Sequence, residues 1–174
     1  RRQRQMCIRD RAKGTLWVDI QGLGREDVLR KIAETFKLHD LTIADVVNVP
    51  QRPKTDIHDL YALNITNMVK LKSDEEVDIE QLSVLWGKNY VLTFQEKLGD
   101  ILDPVRERIR KGKGLIRKAG SDYLAYAIID TSVDAFYPVL ENLGATLEDL
   151  EDEIVFNPHE ELLSKVYKIR RILV

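Results

Sequence analysis

Asp130 and Asp134 stand four residues apart in a stretch of helical periodicity, so both carboxylates share one helix face, where two hard oxygen ligands could hold a cation. A hydrated acidic face with mild like-charge repulsion accounts for the same spacing without a ligand and is the more economical reading. Farther along, Glu148, Asp149, Glu151, Asp152 and Glu153 form an acidic block, and Lys165, Lys168, Arg170 and Arg171 a basic one. If the chain folds back at Asn157-Pro158, the two blocks face each other in solvated ion pairs worth less than ~1 kcal/mol each.

Residue types that carry catalysis are not arranged for it. His39, His58 and His159 are scattered without metal-ligand spacing, and His39 reads as a helix-start or packing residue. There is no Gly-x-Ser-x-Gly elbow, and Gly112-Lys113-Gly114 lacks the upstream glycine and following hydroxyl of a phosphate loop. Gly22-Leu23-Gly24 lacks the third glycine of a dinucleotide fingerprint. Tyr123, Tyr126 and Phe136 read as helix-packing aromatics. The chain is therefore read as a non-enzyme.

A length of 174 residues suits one domain with a well-buried core and an appended helical element. The apolar runs are short and broken by charge, far from the ~20 residues that cross a bilayer, so the chain as given is expected to be soluble. Residues Arg1 to Arg11 (RRQRQMCIRDR) read as one translation frame of a common sequencing adapter rather than as a basic arm or a targeting peptide, since no apolar signal region follows. Setting them aside removes five Arg and one Asp, which leaves 22 basic against 28 acidic residues and a net charge of −6. An acidic balance argues against nucleic acid as a partner, because phosphate binding needs clustered Lys and Arg. The only cysteine, Cys7, falls in the same segment, so residues 12–174 have neither a disulfide nor a thiolate site, as suits a reducing cytosol.

The elements that would position these residues follow from periodicity. Thr15 to Ile20 alternates with period two and reads as a strand, followed by the Gly22-Leu23-Gly24 turn. Arg25 to Leu38 reads as a helix with Val28, Leu29, Ile32, Ala33 and Phe36 on one side and Glu26 and Asp27 in its first turn. A short helix over Leu41 to Val47 precedes an extended loop fixed by Pro50 and Pro53. Strands are predicted near Ile57 to Val69, Val77 to Trp86 and Tyr90 to Phe94, the last two joined by a Gly87-Lys88-Asn89 hairpin. Asp103-Pro104 opens another helix, with Asp103 as its N-cap. The predicted fold is α/β: a mixed-sheet α/β/α layer over residues 12–118, a long acidic helical segment over 119–157, and the start of a stalk-like helix over 158–174.

In the helical segment, Tyr126, Ile129, Val133, Phe136, Leu140, Leu143, Leu147, Leu150 and Ile154 repeat with 3,4 spacing. This predicts a coiled-coil-like stripe, buried against other helices and bent at Pro138.

Four blocks carry a further signal: His39-Asp40-Leu41-Thr42-Ile43-Ala44-Asp45-Val46-Val47-Asn48-Val49-Pro50-Gln51-Arg52-Pro53-Lys54; Tyr90 to Lys97 (YVLTFQEK); Asp103 to Arg110 (DPVRERIR); and Asp122 to Asp130 (DYLAYAIID). In this order they resemble the cytosolic part of the CorA-type magnesium/cobalt transporter family, from about Thr15 onward. The resemblance implies a homopentamer at the cytoplasmic face of the cell membrane that conducts Mg²⁺, with Co²⁺ or Ni²⁺ as surrogates. Its membrane helices and Gly-Met-Asn pore signature would lie beyond residue 174.

The resemblance also implies a regulatory cation site at Asp45, shared with a carboxylate on the next subunit's stalk helix. Many family members carry a second acidic residue just before this position, where Ala44 stands here and cannot ligate a metal. Arg52-Pro53-Lys54 matches the family, and its proline stiffness and bidentate Arg suggest a loop anchored to a carboxylate. Two alternatives stay open: a zinc transporter of the same fold, and a soluble acidic scaffold or enzyme with a dimerising coiled coil.

Overall fold

The computed structural model describes residues 6–9, 14–73, 76–156, 159 and 161–173. Its strands are β1 (Met6–Arg9), β2 (Leu16–Gln21), β3 (Lys54–Ile57), β4 (Tyr61–Ser73), β5 (Glu76–Gly87) and β6 (Tyr90–Gln95). They form one sheet in the order β1-β2-β6-β5-β4-β3. β2 runs parallel to β6, and every other neighbouring pair is antiparallel. The β5–β6 hairpin turns at Lys88-Asn89, as its residue types predict. A Cβ at Gly87 would meet the Tyr90 ring at 2.5 Å, so any larger residue there must displace that ring.

Alternation along the strands sends side chains to two separate cores, because both faces of the sheet are covered. On one face Ile20, Leu63, Ile65, Leu85, Leu92 and Phe94 pack under helices α1 (Glu26–Phe36) and α2 (Asp40–Val47). On the other, Trp17, Met68, Leu82, Val84 and Val91 meet α3 (Asp103–Lys111) and α4 (Ser121–Asp134). This is the expected α/β/α layer. Helices α5 (Phe136–Phe156) and α6 (Glu161–Leu173) join the far end of β4 through a third cluster: Val69, Val139, Leu143, Leu150, Leu162 and Ile169.

Several expectations need correction. The single strand predicted from Ile57 is a hairpin, β3 to β4, that reverses at His58-Asp59-Leu60 and is closed by the His58 N–H donating to the Tyr61 carbonyl at 2.9 Å. The turn has neither Gly nor Asn, so composition did not mark it. Leu102, not Asp103, is the N-cap of α3, with Pro104 in the first turn.

The long helical segment comprises α4 and α5, separated by Ala135 alone, which keeps right-handed helical torsion angles and donates its N–H to the Thr131 carbonyl at 3.2 Å. A proline ring clashes with the carbonyl four residues back, at Asp134, whereas Pro138 lies in the first turn of α5, where its missing N–H removes no helical bond. Along the stripe, Leu143 and Leu150 are buried within this chain, whereas Tyr126, Val133, Phe136, Leu140, Leu147 and Ile154 are exposed.

At the other end of the chain, Met6–Arg9 is paired to β2 as an edge strand. An open sheet edge offers unpaired N–H and C=O groups that any short extended segment can satisfy, so this pairing needs no special side chains.

Candidate cation site

The site predicted around Asp45 is built by the end of α2, the loop after it and β3. α2 begins at His39, whose Nδ1 accepts the Leu41 N–H at 3.1 Å, as a helix-start residue should. The Tyr61 hydroxyl accepts the His39 N–H at 3.0 Å and pairs with buried Thr42 Oγ1 at 2.8 Å, which ties α2 to β4. Beyond α2, Gln51 fastens the proline loop. Its side chain donates to the Asp45 and Asn48 carbonyls, and its backbone N–H donates to Gln81 Oε1 at 3.1 Å. With Val46 fully buried beside it, Asp45 has little freedom to move along the surface.

The Asp45 carboxylate is one-third exposed, and the Lys54 ammonium stands 2.8 Å from its Oδ2. The same ammonium lies 3.0 Å from Asp56 Oδ2. The hydrogen bond to Asp45, and then that to Asp56, raises the Lys54 pKa above its ordinary value, so the ammonium stays charged. The carboxylate that Arg52-Pro53-Lys54 was expected to bind is therefore Asp45, and the cation that binds it is Lys54. Arg52 is exposed and, among the described residues, makes no ion pair. Ala44 is exposed and offers no side-chain oxygen.

Asp130 and Asp134 lie on α4, across the sheet from α2, so the fold does not bring them to Asp45. On α4 the nearby Asp130 charge is the main cause of a raised Tyr126 pKa. Among the described residues no three of His, Cys, Asp and Glu come together in a group able to hold a metal. One ion pair joins the acidic block to the basic one, Lys165 Nζ lying 2.9 Å from Glu153 Oε2. The proposed fold-back point, Asn157-Pro158, lies outside the described residues.

Sequence reasoning missed a second ionic group, which is buried. Arg106 of α3 reaches over the ends of β2 and β6, donating to Asp19 Oδ2 at 2.8 Å, to both Asp100 oxygens and to Asp103 Oδ1 at 3.1 Å. Asp19 also accepts from Thr93 Oγ1 at 2.7 Å and Gln95 Nε2 at 2.8 Å, while the guanidinium lies 5.4 Å from the centre of the Trp17 ring. Burial raises the Asp19 pKa and outweighs the Thr93 bond and the Arg106 charge. Burial acts the same way on Asp100, but there Arg106, the Leu102 N–H and Gln95 prevail and hold the carboxyl below its ordinary value. The signal was in the sequence: Trp17 and Asp19 share a strand face, and an acid on a core face calls for a buried partner.

A family model described as CorA-like Mg²⁺ transporter protein matches residues 12–174. The chain belongs to that family. Among CorA-like relatives it is 40% identical over 159 residues to the cobalt/magnesium transport protein CorA of Thermotoga maritima, covering 91% of this chain and 45% of the relative. It is 25% identical over 158 residues to the putative metal ion transporter YfjQ of Bacillus subtilis, covering 91% of this chain and 48% of the relative. The chain thus spans about half the length of these two relatives.

The fold is shared with the complete CorA magnesium transporter of Methanocaldococcus jannaschii, at a TM-score of 0.71, 19% identity, and coverage of 90% of this chain and 49% of that one. It is shared as well with the ZntB cytoplasmic domain of Vibrio parahaemolyticus, at a TM-score of 0.69, 15% identity, and coverage of 97% and 73%. Among the described residues, no helix is long and apolar enough to cross a membrane.

Proposed function

We propose that this chain is the cytosolic regulatory part of a CorA-like homopentameric divalent-cation channel, and that it senses Mg²⁺ at the boundary between subunits. The observation that carries this reading is Asp45: a carboxylate held on a pinned helix end, one-third exposed and already engaged with a cation. Two carboxylates, Asp45 and Asp56, accept the same ammonium, so the donor set suits a hard cation. Mg²⁺ takes one or two carboxylates and keeps several waters, and a site with so few protein oxygens takes its remaining ligands from water or another subunit.

Apolar residues outside the cores support packing against further protein, since Tyr126, Val133, Tyr137, Leu140 and Leu147 face away from this subunit's own interior. In this mechanism cytosolic Mg²⁺ bridges neighbouring subunits through Asp45 and favours the closed assembly. Loss of the ion frees the subunits to move, so gating is a population shift that requires tighter binding to the closed form. Mg²⁺, or Co²⁺ as surrogate, is also the transported substrate, and the conducting path belongs to membrane segments joined to this domain.

The test is limited proteolysis of the full-length pentamer across a Mg²⁺ titration. The wild type should gain protection with Mg²⁺, and Asp45→Ala should lose it and give a channel less readily closed by internal Mg²⁺. Full protection in Asp45→Ala would remove Asp45 from the mechanism.

A further inference from the structure

Lys54 has no task in the reading above, yet it is the residue in direct contact with Asp45. Its partners arrive from two elements, Asp45 from the last turn of α2 and Asp56 from β3, two positions along the strand from Lys54 and therefore on its side of the strand. The arrangement is held from outside. β3 is fixed in register by Lys54 opposite Ile65 and Asp56 opposite Leu63, and Gln51 clamps the connecting loop to the end of α2. Two anionic groups share one monovalent cation, so the cluster keeps a net negative charge that a divalent ion would neutralise.

We propose that Lys54 is a tethered counter-cation that competes with the divalent ion for Asp45, so that ion binding is an exchange: the ion enters and the ammonium swings out to water. This rests on the assignment of Asp45 as the cation-sensing residue. The chemistry allows the exchange, because an ammonium on a flexible four-carbon stem is readily hydrated and Lys54, Asp45 and Asp56 are each between a third and a half exposed.

Exchange has a consequence for regulation. When the ion is scarce, Asp45 is neutralised within its own subunit and α2 is held to β3. When the ion is abundant, Asp45 is released to face a neighbour. Lys54 thereby sets the concentration at which the switch occurs. Two partly exposed ion pairs must be given up, which corresponds to a threshold raised about three- to tenfold.

The experiment measures the half-protecting Mg²⁺ concentration in limited proteolysis of the full-length pentamer, for wild type, Lys54→Met, Lys54→Arg and Asp45→Ala. Melting in Mg²⁺-free buffer confirms that each variant is folded, and Lys54→Gln repeats the test with a polar side chain. Lys54→Met should lower the half-protecting concentration about three- to tenfold, whereas Lys54→Arg, which keeps the charge, should not lower it. An unchanged or higher value in Lys54→Met and Lys54→Gln, with protection lost in Asp45→Ala, would overturn the exchange and leave the Asp45 reading intact. Protection that persists in Asp45→Ala would overturn that reading, and the exchange with it.

Discussion

Replacing Arg106 with methionine should destabilise the domain more than any surface change. The guanidinium is 6% exposed, and the carboxylates it serves, Asp19 and Asp100, are 4% and 2% exposed. Methionine refills most of the volume but leaves two negative charges with no buried cation. Each carboxylate keeps neutral donors, Thr93, Gln95 and Gln21 for Asp19 and the Leu102 N–H, Gln95 and Gln21 for Asp100, so desolvation is partly offset. Breaking a buried pair from one side costs about 3–5 kcal/mol, a large fraction of the ~5–15 kcal/mol that holds a domain together. For a chain of this size that is a melting-temperature loss on the order of 10 °C. Urea unfolding of the 174-residue chain at neutral pH, followed by tryptophan fluorescence, measures it, and Trp17 lies directly against the perturbed group. Adding Asp19→Asn to Arg106→Met should recover part of the loss by removing one of the stranded charges. A loss below ~1 kcal/mol for Arg106→Met alone would show that the cluster is well solvated and that the electrostatic account of α3 docking is wrong.

Asp100→Asn should destabilise the chain most at neutral pH. The folded-state pKa of Asp100 is lowered, so its contribution is complete above its unfolded-state value and fades as pH falls through the folded value; the difference from wild type in urea unfolding should shrink below about pH 4. Leu150→Ala, at a buried position, should cost about 3 kcal/mol by the same assay, and Leu147→Asp, at an exposed one, less than ~1 kcal/mol in the single chain, reversing what the 3,4 stripe alone would predict. Deleting residues 1–11 should change the melting temperature by less than ~3 °C, because a four-residue edge strand adds little and the family match begins at residue 12; a larger loss would make the segment part of the native fold.

Period and turn chemistry made the layer legible: the β2 alternation, the amphipathic α1 and the Gly87 hairpin are local signals, and the structure contains each of them. The stripe did not show which of its residues this subunit itself buries, because 3,4 spacing reports that residues share a line, not what covers the line. At the cation site the sequence marked Arg52-Pro53-Lys54 as an anchor without showing which cation would reach a carboxylate. That choice depends on β3 beginning at Lys54, and an unrecognised strand leaves its side-chain directions undetermined. The buried Arg106 cluster joins residues 87 positions apart, a pairing that only the parallel β2–β6 register creates.

Asp45 is proposed to bind a divalent ion at a subunit boundary by exchanging Lys54 for it. An anomalous-scattering map of the full-length pentamer crystallised with Co²⁺ tests this directly. A peak is expected in coordination contact with the Asp45 carboxylate and near a neighbouring subunit, with the Lys54 ammonium turned out to solvent. A saturated crystal with no peak at Asp45, or with Lys54 still bridging Asp45 and Asp56 beside the ion, would contradict it.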